Sequence, residues 1–169
     1  IVVDDGSDDG TGEIVKRYDV KYVKLNHNNG KGTAMNRGVE IAKGDIIFFC
    51  DADVIGLNHK IIDEIVNPVM ENKFEMFIGM RNRKLYYLSW ILSFIPLLGG
   101  ERALTKTLWQ KLPEHYKDKF KIETSLNFYA KYYLNGFDYK VFPGLTQTIK
   151  EKKYGFKAGF KKRLAMIYD

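Results

Sequence analysis

Short apolar runs alternate with amphipathic stretches along the first half of the chain, and polar or glycine-rich segments separate them. The runs are too short for globular helices and are rich in β-branched and aromatic residues, so they predict strands. The stretches between them repeat apolar residues at helical spacing and predict helices. In chain order we predict a strand at 1–3, a helix at 11–18, a strand at 20–25, a helix at 33–42, a strand at 46–50, a helix around 61–69 and a strand at 74–80.

Strands and helices alternate throughout this half of the chain. Such alternation predicts an α/β fold with a mostly parallel sheet and helices on both faces. In a sheet of this kind ligands bind at the carboxyl ends of the strands. We therefore expect the chemistry to lie in the loops that follow the strands.

The second half of the chain is less regular. Helices are predicted at 84–94, 105–111 and 122–134, and a last short strand is predicted at 139–142. The third of these helices carries an apolar stripe at helical spacing, which predicts core packing. The stripe consists of Ile122, Leu126, Tyr129, Ala130 and Tyr133.

Length and composition indicate a single domain over residues 1–169. A chain of 169 residues that is 45% apolar can bury one substantial core, and neither a repeat nor a linker divides it. Ile1 opens directly on a β-branched run, so we expect the domain to be truncated and to lack a preceding strand. The single cysteine, Cys50, excludes a disulfide framework, and its place in the predicted strand favours a buried, inert thiol.

The formal net charge is +6, and lysines become frequent at 150–153 and 161–163. Such a basic tail suits anionic lipid, nucleic acid or a phosphorylated acceptor, or it is simply a solvated face. No nucleic-acid motif accompanies it, so we expect no nucleic-acid partner. The longest apolar run, 85–98, is shorter than the ~20 residues of a spanning helix. Since no signal peptide is recognisable, we expect a cytoplasmic location.

The predicted strand at 46–50 is followed by two carboxylates, Asp51 and Asp53, with only Ala52 between them. In an extended chain both side chains leave the same face at the carboxyl end of the strand. Two such carboxylates repel each other unless a cation lies between them, and their oxygens suit Mg²⁺ or Mn²⁺. Because Mg²⁺ fills its other positions with water and substrate phosphates, a phosphate-bearing ligand is implied. The alternative is that the pair only caps the following helix.

Three segments, taken together and in order, indicate a protein family more specifically than any one of them does. They are Val3-Asp4-Asp5-Gly6-Ser7 with Asp9-Gly10-Thr11, then Asn29-Gly30-Lys31-Gly32 with Ala34, Asn36 and Gly38, then Asp51-Ala52-Asp53. In this order and at this spacing the chain resembles family 2 glycosyltransferases of the GT-A fold, strongly over residues 1–56 and more loosely beyond. The resemblance implies that the predicted sheet is of the Rossmann-like GT-A type.

The same resemblance implies a binding site for a nucleoside-diphosphate sugar. In such enzymes the first acidic pair, here Asp4 and Asp5, meets the base and ribose, for which carboxylates are suitable acceptors. The glycine-lysine loop, here Gly30, Lys31 and Gly32, lets the backbone approach the nucleotide and offers a cation. The alternatives are that an aspartate only caps a turn and that Lys31 is only solvated.

Asp51, Ala52 and Asp53 match the Asp-x-Asp motif of the family, which binds the divalent ion on the diphosphate of the donor. The resemblance therefore implies Mg²⁺ or Mn²⁺ as cofactor, held by Asp51 and Asp53. The metal would neutralise the charge that develops on the leaving nucleoside diphosphate.

A later Glu-Arg-Ala-Leu segment resembles one that lies beside the donor sugar and the acceptor in a bacterial subset, which implies donor contacts from Gly100 and Arg102. If the enzyme inverts, a base must deprotonate the acceptor hydroxyl. Glu123, at the start of a late helix, is the first candidate, and Glu101 is the second. As alternatives, Glu123 is a first-turn carboxylate favoured by the helix dipole, and Glu101 and Arg102 form a structural ion pair.

The chain departs from the family pattern in two places. The opening strand and loop, which normally complete the base pocket, are absent before Ile1. Many relatives place a histidine near the end as a further metal ligand, whereas residues 145–148 contain none. Gln147 or water would take that place.

The sequence leaves the acceptor open between a polyprenyl phosphate and a small soluble acceptor. Aromatic residues at 86–94 and the basic tail suit peripheral contact with the inner face of a membrane, although the same aromatic residues also suit a core helix. We therefore expect a metal-dependent enzyme that moves a sugar from a nucleoside-diphosphate sugar to an acceptor hydroxyl or phosphate. The alternative is a non-catalytic nucleotide-binding or interaction module.

Overall fold

The structure, a computed structural model, describes residues 1–81, 99–117 and 121–147. The predicted helix at 84–94 and the basic tail lie outside these ranges. The first half contains β1 (Val2–Asp4), α1 (Thr11–Val15), β2 (Tyr22–Lys24), α2 (Lys31–Ile41), β3 (Ile46–Phe49), β4 (Val54–Ile55), α3 (His59–Met70) and β5 (Met76–Arg81). The second half contains β6 (Glu101–Thr105), α4 (Lys106–Lys111), a 3₁₀ turn (Glu114–Tyr116), α5 (Lys121–Tyr133), β7 (Phe137–Phe142) and β8 (Thr146–Gln147).

A four-stranded sheet with the order β3-β6-β5-β7 forms the centre of the molecule. β6 runs antiparallel to both of its neighbours, and β5 and β7 are parallel, so β3, β5 and β7 all point the same way. β1 and β2 form a parallel pair, and β4 and β8 form a short antiparallel one. The predicted α/β fold is therefore confirmed, with one antiparallel strand inserted among the parallel ones.

Helices cover both faces of the four-stranded sheet, as the alternation predicts. On one face α2, α4 and α5 bury apolar side chains against alternate strand positions, among them Met76, Ile78 and Leu104. On the other face Ile65 of α3 packs with Phe77 in a second cluster. None of the helices in the described ranges has the length and apolar character that a bilayer crossing requires.

The apolar pattern does not predict β6, because two charged residues open this strand. Glu101 and Arg102 are only 0% and 1% exposed. Charged side chains are almost never buried to this degree unless they are paired. Glu101 is paired with Arg81, and Arg102 is paired with Glu123. These partners are distant in the chain, so the local apolar pattern cannot reveal the strand.

Three local predictions need correction. α2 begins at Lys31 rather than Thr33, because Gly30 occupies the N-cap position with a φ of 92°. Tyr133 is 62% exposed rather than buried, since it is the last residue of α5 and lies beyond the buried part of the stripe. Cys50 is exposed, because β3 ends one residue before it.

Candidate active site

The region after β3, the end of β5 and the start of α2 meet at Asp51. Its carboxylate accepts hydrogen bonds from Nζ of Lys31 at 3.1 Å and from Nη2 of Arg81 at 2.8 Å. Partial burial alone would raise the pKa of Asp51, but Lys31 and Arg81 outweigh it and hold that pKa below its ordinary value. The carboxylate is therefore ionised and anchored between two positive groups.

The backbone at Gly100 makes room for this carboxylate. A Cβ atom at Gly100 would lie 1.8 Å from Oδ2 of Asp51 and 2.2 Å from its Cγ. Atoms that are not bonded to each other do not approach this closely. Only glycine at this position leaves Asp51 where it is.

Lys31 connects Asp51 to the start of α5. Its Nζ also donates to Oε1 of Glu123 at 2.7 Å. Burial would lower the pKa of Lys31, but Glu123 and then Asp51 raise it above its ordinary value. Lys31 is thus charged and paired rather than only solvated. Because Lys31 is the first residue of α2, its side chain connects the start of this helix to Asp51.

The two charged residues of β6 pair with different partners and not with each other. Oε1 of Glu101 accepts from Nη2 of Arg81 at 2.6 Å. Arg102 donates to the carbonyl oxygen of Gly99 at 2.9 and 2.7 Å, and its Nη2 lies 3.5 Å from Oε2 of Glu123. Burial lowers the pKa of Arg102 from its ordinary value. Arg102 therefore fixes both the turn before β6 and the carboxylate of Glu123.

The two candidate bases differ in how accessible they are. The side chain of Glu101 is 0% exposed, and that of Glu123 is 11% exposed. Within the described part of the chain, Oε2 of Glu101 and Nε of Arg81 are buried without a hydrogen-bond partner. An acceptor hydroxyl could therefore approach Glu123 with less rearrangement than Glu101.

Asp53 is held by the last described strand. Nε2 of Gln147 donates to its two carboxylate oxygens at 3.0 and 2.8 Å, and Oε1 of Gln147 accepts from Nη1 of Arg81. Gln147 thus lies beside the Asp-x-Asp segment. Between the two aspartates, Ala52 is exposed.

The aspartate pair does not cap the following helix. The N-cap of α3 is Asn58, whose side chain accepts from the N–H of Ile61 at 3.1 Å. The helix-cap alternative for Asp51 and Asp53 is therefore wrong.

Asp4 is built into the protein at the end of β1. It is 4% exposed, and its carboxylate accepts from the N–H of Ser7 at 2.8 Å and from the hydroxyl of Tyr22 at 2.7 Å. The hydrogen bonds from Ser7 and Tyr22 lower the pKa of Asp4, and Asp4 in turn raises the pKa of Tyr22 to about 12. Asp4 therefore does cap the turn at Ser7, as the alternative states. A contact between Asp4 and a nucleotide stays a prediction.

Asp5 ties the first loop to the second. Its two oxygens accept from the N–H groups of Asn29 and Gly30 at 2.9 and 2.8 Å. Gly32, two residues further on, is buried in the first turn of α2. The predicted donor-binding loops are thus brought together, while their contact with base and ribose stays a prediction.

The donor set fits a hard divalent cation that is shared with a diphosphate. Asp51 and Asp53 supply carboxylate oxygens from one turn, and Mg²⁺ typically uses one or two protein carboxylates. Among the described residues no cluster of three or more His, Cys, Asp or Glu side chains could hold a metal ion. The remaining ligands would therefore be phosphate oxygens and water.

Sequence reasoning missed Arg81, which contacts Asp51, Glu101 and Gln147. One signal was available, since Arg81 directly follows the run predicted as the strand at 74–80. β3 and β5 run the same way, so a cation at the carboxyl end of β5 lies at the same edge of the sheet as the aspartates that follow β3.

A model of the family described as glycosyl transferase family 2 matches residues 1–93. Poly-β-1,6-N-acetyl-D-glucosamine synthase from Staphylococcus epidermidis is 39% identical over 59 residues, which are 32% of this chain and 14% of that protein. Dolichyl-phosphate β-glucosyltransferase from Dictyostelium discoideum is 29% identical over 91 residues, which are 48% of this chain and 28% of that protein. The chain thus spans less than a third of the length of these two relatives.

The fold is similar to that of glucosyl-3-phosphoglycerate synthase from Mycobacterium tuberculosis. Against its complex with Mn²⁺ and UDP-glucose the TM-score is 0.72 at 20% identity, covering 99% of this chain and 66% of that one. Against its complex with Mn²⁺, UDP-glucose and phosphoglyceric acid the TM-score is 0.70 at 18% identity, covering 97% and 68%. At this identity the likeness establishes the fold alone, and it confirms the GT-A form of the α/β sheet.

Proposed function

Because the chain belongs to glycosyl transferase family 2, we propose that it transfers a sugar from a nucleoside-diphosphate sugar to an acceptor hydroxyl or phosphate, with a divalent metal at Asp51 and Asp53. The observation that carries this proposal is the position of Asp51, held between Lys31 and Arg81 beside the start of α2. Such a site suits a metal-bound diphosphate, because the carboxylate can bind the metal ion and the two cations can pair with the phosphate oxygens.

Donor binding follows from these groups. The ammonium of Lys31 and the guanidinium of Arg81 balance the charge of Asp51 in the free protein, and they are positioned to contact phosphate oxygens once a metal takes Asp51. The N–H groups of the first turn of α2, next to Gly30, add further donors. The metal, when bound, would stabilise the negative charge on the departing diphosphate.

Glu123 is our proposal for the acceptor base. It is the more exposed of the two candidates, and it shares Lys31 with Asp51, which links the acceptor side of the site to the donor side. Arg102 and Lys31 orient its two oxygens toward opposite partners. A base must lie within hydrogen-bond reach of the hydroxyl that it deprotonates, and this carboxylate is held at the edge of the site.

The acceptor remains a choice between two phosphorylated classes. One relative is named for dolichyl phosphate, and one structural neighbour binds phosphoglyceric acid, so we propose either a polyprenyl phosphate or a small soluble phosphorylated acid. With the first, the protein would work at the cytoplasmic face of a membrane as a peripheral protein. With the second, it would need no membrane contact.

Calorimetric titration with UDP, GDP and their glucose conjugates, with and without Mn²⁺, tests the donor site. We expect metal-dependent binding to at least one nucleotide, and a loss of at least about tenfold, or about 1.4 kcal/mol, in Asp51→Ala/Asp53→Ala. Asp63→Ala, at an exposed position of α3, is the matched control and should bind normally. If the unaltered chain binds none of these nucleotides with any metal, the enzyme proposal fails.

The catalytic step is tested by Glu123→Gln, which keeps the shape of the side chain and removes its basicity. We expect turnover to fall by about 10²- to 10⁴-fold while nucleotide affinity changes little. Glu13→Gln, exposed on α1, should retain full turnover. Nucleotide binding without any turnover in the unaltered chain would instead favour the non-catalytic module.

A further inference from the structure

β7 (Phe137–Phe142) forms one edge of the four-stranded sheet. Within the described ranges its only strand partner is β5, so one side of this six-residue strand has no strand beside it. Residues 138–141 are all exposed, with Tyr139 at 45% and Val141 at 40%. Side chains of a strand alternate between its two faces, so both faces are accessible to solvent here. The helices α3 and α5 therefore leave this edge of the sheet open.

The hydrogen bonds around β7 show which of its backbone groups face outward. The C=O of Gly136 accepts from the N–H of Glu75, just before β5, at 3.0 Å, so residue 136 faces β5. Neighbouring residues of a strand direct their N–H and C=O groups to opposite sides. Every second residue from 137 to 141 therefore faces the open edge. The N–H of Tyr139 agrees with this, because it donates at 2.8 Å to Oδ1 of Asp138, a side chain of its own strand.

The charges of β7 do not protect its edge against a copy of the same strand. Unpaired edge groups are a template for another strand, and like charges on the edge would repel a copy. β7 instead carries one charge of each sign, Asp138 and Lys140, which stand two apart and so lie on the same face. That face is the one covered by α3, because Lys140 pairs with Glu64 of this helix. Tyr139 and Val141 lie on the opposite face.

An antiparallel copy of β7 matches these charges in one register. When Tyr139 lies opposite Tyr139 of the copy, Asp138 of each strand lies opposite Lys140 of the other. A shift of the copy by two residues in one direction places Asp138 opposite Asp138, and a shift in the other direction places Lys140 opposite Lys140. Opposite charges directly across a strand pair stabilise it, and like charges destabilise it. The charges therefore select the register that is centred on Tyr139.

The same register satisfies the backbone of both strands. It places residues 137, 139 and 141 opposite residues 141, 139 and 137 of the copy, and all of them face the shared edge. Each of these opposed pairs can exchange two backbone hydrogen bonds. Asp138 and Lys140 then occupy the pairs without backbone hydrogen bonds, in which the side chains lie closest together. The N–H that Asp138 binds in the single chain would pass to the copy, and Lys140 of the copy would replace it at the carboxylate.

We propose that two copies of this chain associate through β7, in an antiparallel pair whose twofold axis passes through Tyr139. The symmetry is twofold because the same edge serves both copies. The two four-stranded sheets would become one continuous sheet, with a pair of tyrosines on one face and two ion pairs on the other. This inference rests on the edge and the charges of β7 and does not depend on the proposed function.

Analytical ultracentrifugation tests the association directly. One strand from each copy is a small interface, so we expect a reversible, concentration-dependent dimer with twice the 19.6 kDa mass of the chain. At about 100 µM at least half of the chain should be in this dimer, which corresponds to a dissociation constant of about 100 µM or less. A chain that stays monomeric at this concentration would overturn the proposal.

Two charge reversals test the pairing of Asp138 with Lys140. Asp138→Lys sets lysine against lysine at both ion pairs, and Lys140→Asp sets aspartate against aspartate. We therefore expect either variant alone to dimerise at least about tenfold more weakly, although circular dichroism shows both to be folded. Asp19→Lys, at an exposed position far along the chain, changes the net charge as Asp138→Lys does and should dimerise normally.

Mixing the two reversed variants distinguishes this register from other contacts. In a dimer of Asp138→Lys with Lys140→Asp every lysine lies opposite an aspartate again. We expect the equimolar mixture to dimerise about as tightly as the unaltered chain. If the mixture associates no more tightly than the separate variants, or if Asp138→Lys alone dimerises normally, the proposed pairing is wrong.

A disulfide test locates the twofold axis. In a chain whose exposed cysteine is removed by Cys50→Ser, Tyr139→Cys places each new thiol opposite its equivalent, at a Cα separation of about 5.5 Å that suits a disulfide. Val141→Cys, on the same face, would lie more than about 13 Å from its equivalent, which is too far. We expect mild oxidation to cross-link only the Tyr139→Cys chain. Cross-linking of both chains, or of neither, would contradict an axis at Tyr139.

Discussion

Gly100→Ala tests whether the position of Asp51 depends on one missing methyl group. The added Cβ would lie 1.8 Å from Oδ2 of Asp51, so the carboxylate must leave its place between Lys31 and Arg81. We expect metal-dependent nucleotide affinity, measured by calorimetry, to fall at least about tenfold, or about 1.4 kcal/mol. Gly144→Ala, where a Cβ has open space, should bind as the unaltered chain does. Equal affinities in both variants would mean that nucleotide binding does not depend on the position of Asp51 between Lys31 and Arg81.

Tyr22→Phe tests the hydrogen bond that secures Asp4. Asp4 raises the pKa of Tyr22 to about 12, so the stability that the phenol contributes is complete below its ordinary pKa of about 10 and is lost as the pH rises through about 12. The lowered pKa of Asp4 acts in the other direction: its contribution is complete above about pH 4 and is lost as the pH falls through the lowered value.

Thermal midpoints between pH 3 and 11 measure this contribution. We expect Tyr22→Phe to melt at a lower temperature than the unaltered chain between about pH 5 and 9, and the difference to shrink toward both extremes. Tyr18→Phe, whose residue is 66% exposed, is the control and should melt normally. A difference that stays constant across the range would show that the bond to Asp4 does not control it.

At the residue scale the sequence identified the groups that come from contiguous motifs. Asp51 and Asp53 stand two apart, and Lys31 stands in a glycine-rich loop, so their proximity could be expected once strands and loops were placed. Arg81 could not be recognised as readily, because its partners Asp51, Glu101 and Gln147 come from three distant parts of the chain. Only the sheet brings them together.

At the scale of the elements, the cap of α3 offers a direct test. The side chain of Asn58 accepts from the N–H of Ile61, which would otherwise lack a partner in the helix. We expect Asn58→Ala to lower the free energy of unfolding, measured with urea, by about 1 kcal/mol, and Asn58→Gly to lower it by only a few tenths of that. Equal losses in the two variants would indicate that the helix does not depend on this cap.

The elements that the sequence predicted well are those whose apolar side chains follow one period. α3 meets this condition, β3 and β5 are recognised instead as unbroken apolar runs, and the positions of all three agree with the structure within a few residues. β6 does not, because Glu101 and Arg102 are buried by ion pairs that a local pattern cannot show. β4 and β8 have two residues each, which is too few for any period.

At the scale of the whole molecule, ligand binding should increase the free energy of unfolding. UDP and Mn²⁺ together, at 100 times their dissociation constant, should stabilise the fold by about 2.7 kcal/mol. Mn²⁺ alone should do much less, since Lys31 and Arg81 already balance the charge of Asp51. Differential scanning calorimetry measures both effects, and Asp51→Ala/Asp53→Ala should lose the combined one. Stabilisation of this double variant by the same amount would locate the ligand elsewhere.

The order of β3 and β6 in the sheet also has a consequence for biosynthesis. β3 ends at residue 49, but the strand that pairs with it is complete only at residue 105. At ribosomal rates of about 5 to 20 residues per second, this partner is completed roughly 3 to 11 s later. The contact between Lys31 and Glu123 spans 92 positions and must wait longer still. The carboxylates of the Asp-x-Asp segment are thus translated early and receive their final surroundings late, so a ribosome that stalls before β6 would expose an unpaired, apolar β3 to other nascent chains.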